Sequence, residues 1–288
     1  MEIIRARTLG FCMGVKRAVE LACAEARRAG ERGSSVFSTG PLIHNPKVLD
    51  DLKAIGIDIL NKSPQKSEDS LVICAHGINP ETENDLRESG CRIIDATCPN
   101  VKASQLKAQE LSRTGYCLFL AGEAEHAEIK GILGYARDAP FCIAAGSAAE
   151  AEKKAAELFK IDNHAKTAVL GQTTISEEEY NSVCEAVKKY FPDAEIICTI
   201  CTATGNRLNA LREMIDKADA VLIAGGKESA NTRRLLSAAQ ESGKPCVLAE
   251  SAADVPVSFS EYKTVGISAG ASTPDSVINE IEQKLLKL

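Results

Sequence analysis

The chain of 288 residues lacks any apolar run near the roughly 20 residues that a membrane-spanning helix requires. It also lacks a basic excess: 34 Lys and Arg stand against 40 Asp and Glu, a net charge of -6. A nucleic-acid surface would carry a basic stripe, so neither nucleic acid nor membrane is expected as a partner. No G-x-x-x-x-G-K-[ST] phosphate loop and no G-x-G-x-x-G fingerprint is present, which argues against nucleotide and NAD chemistry. Histidine is scarce, at four residues. A disulfide framework is missing too, because the eleven cysteines are odd in number and irregular in spacing. An apolar strand pattern from residue 2 leaves no room for a targeting segment, and the expected compartment is the cytoplasm.

What the chain has is an alternation of strand-like and helix-like segments, the pattern of an α/β fold with mainly parallel sheets. Apolar runs include SSVFSTG, SLVICAHG, YCLFLAG, PFCIAAG, TAVLGQT, AVLIAGG, KPCVLAE and YKTVGISAG. Periodicity and capping residues predict helices over 15–29, 81–89, 104–113, 176–189, 206–217, 232–242 and 274–287. With 44% hydrophobic residues, the chain has enough apolar material for a sizeable core.

Three cysteines stand apart. Cys12 in TLGFCMGV, Cys98 in DATCPNV and Cys201 in TICTATGN each follow a strand-length apolar run and precede a helical period. At a strand-to-helix handover the free N–H groups and the dipole of the helix favour a thiolate, the form that binds metal. Aligning the three suggests a repeat of roughly 90 to 100 residues, with units at 1–90, 91–192 and 193–288. Cys23, Cys74, Cys91, Cys117, Cys142, Cys184 and Cys246 lie in apolar stretches and read as buried small hydrophobes.

Three thiolates at one centre admit zinc or an iron–sulfur cluster, and a [4Fe–4S] cluster so held keeps one open iron. Cys198 and Cys201 form the single C-x-x-C, which also admits a redox pair, although Cys198 reads as part of the preceding strand. The remaining strand-end loops are polar: His44 in GPLIHN, His76 in CAHGIN, His126 and Glu128 in GEAEHAE, Thr173 in GQTTIS, Ser229 and Asn231 in GGKESAN, and Ser272 in SAGAST. Loops beyond the carboxyl ends of parallel strands converge on ligands. These side chains and the glycine-flanked N–H groups suit an anionic phosphate, and Glu128 is the best placed carboxyl proton donor. His164 in DNHAK reads as a surface residue.

In the order GFCMGVKRA, GPLIHN, AHG, DATCPNV, HAE, GQTT, TICTATGNR, GGKESANT and SAGAST, these segments resemble the 4-hydroxy-3-methylbut-2-enyl diphosphate reductase family over essentially the whole chain. The resemblance implies three α/β units in a trefoil-like arrangement around a [4Fe–4S] cluster held by Cys12, Cys98 and Cys201. It implies diphosphate contacts from His44, His76, His126, Thr173, Ser229, Asn231 and Ser272, and a proton from Glu128 with Thr173 assisting. The substrate would be a small allylic diphosphate, and the external one-electron donor a ferredoxin or flavodoxin. A hydro-lyase of the aconitase kind and a non-catalytic iron–sulfur sensor are the alternatives. Four positions depart from the family pattern: Ala127 replaces a usual proline before Glu128, Ala230 a frequent serine, Cys198 a usually polar residue and Leu208 a common glutamine after Arg207.

Overall fold

The computed structural model describes residues 1–43, 45–60 and 68–288, with the side chain of Ala230 outside the description. His44 therefore lies outside the described residues. In chain order the elements are β1 (Glu2–Arg5), α1 (Met13–Arg32), β2 (Val36–Ser38), α2 (Pro46–Ala54), β3 (Ile57–Ile59), β4 (Ser70–Ile73), α3 (Pro80–Glu88), β5 (Arg92–Asp95), α4 (Pro99–Arg113), β6 (Cys117–Ala121) and α5 (Ala127–Tyr135). They continue as β7 (Cys142–Ala145), α6 (Ala148–Ile161), β8 (Thr167–Gly171), α7 (Glu177–Lys188), β9 (Glu195–Ile197), α8 (Thr202–Ile215), β10 (Ala220–Ala224), α9 (Ala230–Glu241), β11 (Cys246–Ala249), β12 (Thr264–Ala269) and α10 (Asp275–Leu285).

The strands form three four-stranded sheets, ordered β1-β12-β10-β11, β3-β2-β4-β5 and β7-β6-β8-β9, and every pairing is parallel. Parallel strands buried on both faces need apolar residues at consecutive positions rather than alternate ones. That is why β4, β6, β8 and β10, each buried along its whole length, carry apolar residues at successive positions, with Ser70 and Thr167 as polar starts of β4 and β8. In the third sheet Leu118, Leu120 and Leu170 pack under Ile129 and Ile132 on one face, while Phe119 and Val169 meet Tyr180 and Val183 on the other. Truncating one such leucine to alanine would cost about 2–5 kcal/mol.

The sheets share one order with a shifted start. In the β2–β5 and β6–β9 sheets the second strand in sequence is an edge, followed by the first, third and fourth; β10, β11, β12 and then β1 repeat this, with the first strand of the chain serving as the last of its sheet. The strand before each cysteine is thus the opposite edge strand, closing a sheet rather than opening one. The expected divisions at 90/91 and 192/193 accordingly fall between β4 and β5 and between β8 and β9, which pair. By compactness the chain divides into one unit of Met1–Glu20, Pro41–Gly56 and Thr202–Leu288, carrying the β1-β12-β10-β11 sheet, and a second of Leu21–Gly40 and Ile57–Cys201, carrying the other two.

Within the second unit the later turns of α1 are fixed by Glu25, 1% exposed, which accepts from Arg32 at 2.7 Å and from the Ser70 hydroxyl at 2.8 Å. No helix of the described residues is long and apolar enough to cross a membrane.

Candidate active site

All three cysteines directly precede a helix. Cys98 is the N-cap of α4, with Pro99 supplying the fixed φ suited to a first helical position, and Cys12 and Cys201 immediately precede α1 and α8. The helices start earlier than the periodicity predicted, because the capping turn carries no apolar signal of its own. Each cysteine N–H donates to the loop after the neighbouring strand: Cys12 to Ala271 O at 3.1 Å, Cys98 to Ala75 O at 2.9 Å and Cys201 to Thr173 O at 2.8 Å. One bond made three times ties each thiol-bearing turn to a predicted site loop.

The other thiols differ in kind. Burial pushes Cys23, Cys74, Cys117, Cys184 and Cys246 up, and Cys142 up to about 12, which keeps them neutral and inert. Cys91 is buried. Cys198 lies just past β9 rather than within it and is exposed, and none of the eleven cysteines is in a disulfide.

In the second unit the predicted residues form a circuit. Ala75, which accepts from Cys98, precedes His76, whose ring meets that of His126 edge-on at 5.5 Å. Glu128 lies in the first turn of α5 and not in a loop as the sequence suggested, while His126 ends the loop and caps that helix, its Nδ1 accepting from Glu128 N–H at 3.2 Å. An accepting Nδ1 carries no proton, so the neutral ring holds its proton on Nε2, a donor for an anion. Ala127 occupies the first helical position, where proline is favoured only because its fixed φ fits and its missing N–H is not needed; the helix forms without it.

Glu128, 1% exposed, is held at both oxygens by one residue: Thr173 N–H donates to Oε1 at 2.6 Å and the Thr173 hydroxyl to Oε2 at 2.9 Å. Burial raises the carboxyl from 4.5 to about 7, against the pull of those two bonds. Thr173 O in turn accepts from Cys201, and Asn100 Nδ2 donates to Cys201 Sγ at 3.1 Å, which returns the path to the Cys98-Pro99-Asn100 turn. Asn100 escaped the sequence reading although it stands two residues from Cys98; an amide following a candidate ligand in a first helical turn was the available signal. Thr174 accepts from Gln172 Nε2 at 3.0 Å and is turned to that partner.

In the first unit Ser229 is the N-cap of α9, its hydroxyl accepting from Thr232 N–H, and Asn231 lies in the first turn of that helix rather than in a loop. Ser229, Asn231 and Ser272 are 6%, 8% and 7% exposed. Asn231 Nδ2 is buried with no hydrogen-bond partner among the described residues. Such an orphan costs about 1–3 kcal/mol and leaves a donor in the first turn of a helix, at its positive end. Gly225 and Gly270 keep the two loops tight, since a Cβ on Gly270 would stand 2.2 Å from Thr232 Oγ1 and one on Gly225 (φ +145) 2.8 Å from it.

Among the described residues no three His, Cys, Asp or Glu side chains are grouped to hold a single metal ion. A four-iron cluster makes a different demand, since each thiolate bonds its own iron. His164 is exposed, as expected.

A family model described as LytB protein matches residues 3–286. The 4-hydroxy-3-methylbut-2-enyl diphosphate reductase of Treponema denticola is 38% identical, with 100% of each chain covered. That of Aquifex aeolicus is 37% identical over 100% of this chain and 97% of its own. A solved structure of (E)-4-hydroxy-3-methyl-but-2-enyl diphosphate reductase, the terminal enzyme of the non-mevalonate pathway, matches with a TM-score of 0.78 at 36% identity over 100% of both chains. The structure of the Plasmodium falciparum E-1-hydroxy-2-methyl-but-2-enyl-4-diphosphate reductase matches with a TM-score of 0.87, covering 98% of this chain and 87% of its own; at 24% identity it speaks to the fold alone.

Proposed function

The chain belongs to the LytB protein family, and from that premise we propose that it is a 4-hydroxy-3-methylbut-2-enyl diphosphate reductase. The reaction removes the C4 hydroxyl as water, consuming two electrons and two protons and giving isopentenyl and dimethylallyl diphosphates. The observation that carries this reading is the Glu128 carboxyl, buried, held at both oxygens and raised to about 7, so that it can hold and give a proton near neutral pH, as an acid for a departing hydroxyl must.

A [4Fe–4S] cluster on Cys12, Cys98 and Cys201 is the cofactor of this reading. The donor set suits it: three thiols at helix starts, none of them fully buried, set apart from the thiols that burial keeps neutral. When bound, the cluster supplies electrons and a Lewis-acidic open iron for the substrate hydroxyl. The protein's own groups do the rest. His76, His126 through Nε2–H, Ser229, Asn231 through Nδ2 and Ser272 bind and orient the diphosphate, with Thr173 and His44 as further contacts. Glu128 stores one proton at its carboxyl, and Thr173 fixes which way that carboxyl points. The electrons come from an external one-electron carrier of the ferredoxin or flavodoxin class, and the enzyme works in the cytoplasm.

Anaerobic purification, iron analysis and assay of the hydroxylated allylic diphosphate with a strong one-electron reductant test the reading. The expected result is cluster-bearing protein that forms both products only when reduced. Turnover without reductant would make it a hydro-lyase, and a cluster without turnover would make it a sensor. Cys12→Ser, Cys98→Ser and Cys201→Ser are each expected to lose the cluster while Cys198→Ser keeps it; loss in the Cys198 variant would overturn the ligand assignment.

A further inference from the structure

Arg207 is the largest of the fully buried side chains, at 2% exposure. It stands in α8, and its guanidinium reaches two separate stretches of the first unit: Nη2 donates to Gly10 O at 2.6 Å and Nε to Ala269 O at 3.2 Å. Gly10, in the left-handed region at φ +75, turns the chain two residues before Cys12. A Cβ there would meet Ile278 Cδ1 at 3.0 Å, so the turn is also packed. Ala269 ends β12 and opens the loop to Ser272, and that loop already receives the Cys12 N–H at Ala271 O, 3.1 Å. The thiol turn and the serine loop thus share one backbone bond and one guanidinium.

We propose that Arg207 is a positioning residue of the reductase, a clamp whose forked guanidinium locks the Cys12 turn to the Ser272 loop so that the cluster ligand and the diphosphate contact are held in register. The proposal rests on the reductase reading. A fork is what the geometry requires, since two carbonyls on different segments need donors at a fixed separation and direction. A planar guanidinium has them, and the single ammonium of lysine does not. Charge-assisted bonds of this kind are the strong ones, and burial removes competition from water.

The test compares wild-type holoenzyme with Arg207→Lys, which keeps the charge and loses the fork, and with Arg207→Met. Three quantities are read: binding of inorganic pyrophosphate, loss of the visible cluster absorbance under a chelator, and the urea midpoint. For Arg207→Lys we expect pyrophosphate binding about tenfold weaker, the loss of one charge-assisted bond, and cluster loss several-fold faster. Both effects should persist below the urea transition, where the variant is folded. Ser272→Ala should weaken pyrophosphate binding in wild type and add little in the Arg207→Lys background, since a loop already out of register has little left to lose. Additive effects, or lysine restoring both binding and cluster retention, would overturn the clamp. If wild type loads a cluster but binds no pyrophosphate, the diphosphate reading fails instead, and the chelator rates alone then decide the clamp: equal rates reject it.

Discussion

Glu128 and Asn231 are both buried, at 1% and 8% exposure, and are equipped in opposite ways. Glu128 has each carboxylate oxygen bonded to Thr173 at 2.6 and 2.9 Å, whereas Asn231 Nδ2 has no partner among the described residues. Under the proposed function the difference separates two tasks. A proton donor has to be aimed and set in pKa before substrate arrives, so its bonds are built in. An anion contact gains most when its partner is missing until the anion arrives, because binding then relieves a desolvation cost already present in the folded protein.

The largest test of this contrast is Glu128→Gln. Glutamine keeps the shape and the bond from Thr173 N–H and has no acidic proton, so turnover is expected to fall by about 10²–10⁴ while cluster content and pyrophosphate binding stay at wild-type levels. Near wild-type turnover would remove Glu128 from the chemistry. Weakened pyrophosphate binding would show that the two regions do not divide the work.

Next in size is a pH effect on stability. The native carboxyl titrates at about 7 and the unfolded one at about 4.5. Between those values the native state binds the extra proton, so stability is highest at or below the unfolded pKa and falls as pH rises through the folded one. The loss by neutral and alkaline pH is about 3 kcal/mol. Urea midpoints taken from about pH 4 to about pH 8, on either side of both values, should slope down in wild type and lose this component in Glu128→Gln. Equal slopes would mean that the site admits enough water to leave the carboxyl ordinary.

Much of this arrangement was legible in the chain and some was not, for physical reasons. The interior strands β4, β6, β8 and β10 announce themselves because a parallel strand covered on both faces has to be apolar at successive positions. Strand β3, three residues with two of them exposed, carries no such mark. Helix α5 was hidden by Gly131 and Gly134, poor helix formers. Their reason is tertiary, since a Cβ on Gly134 would stand 2.3 Å from Asn79 Cβ and one on Gly131 3.0 Å from Gln105 Nε2. Helix α6 buries a stripe of Ala151, Ala155 and Leu158, too small-sided to show strong periodicity. The pairing of β1 with β12 joins the two ends of the chain, and nothing local in either strand encodes it. At the site, loop chemistry was readable while its helical context was not: His126 and Ser229 act as N-caps, roles fixed by the turns that follow them.

Asn231→Leu probes the other side of the contrast. Leucine shares the outline branched at Cγ and removes an unpaired buried donor, so the urea midpoint should rise, by about 1 kcal/mol of stability, while pyrophosphate binding weakens about tenfold. A stability gain with unchanged binding would assign the orphan to packing. A stability loss would mean that Asn231 has a partner in solution.

The smallest effect belongs to Thr173→Val, and it separates two jobs the hydroxyl can do for Glu128. Valine keeps the branched shape and the backbone N–H to Oε1, and removes only the 2.9 Å bond to Oε2. That bond favours the ionised carboxyl, while burial, the larger influence, opposes ionisation. With the bond gone the pKa rises further, so the alkaline fall of kcat, expected near 7 in wild type, should move to higher pH by less than about one unit. If the hydroxyl only tunes Glu128, the plateau kcat below that limb changes little, because the acid is already protonated there. If it also passes the proton on, the plateau itself falls by about tenfold or more, since a relay lacking a member cannot be restored by lowering the pH. A profile unchanged in both plateau and limb would mean that the backbone N–H alone aims the carboxyl, leaving the hydroxyl outside the built-in half of the contrast.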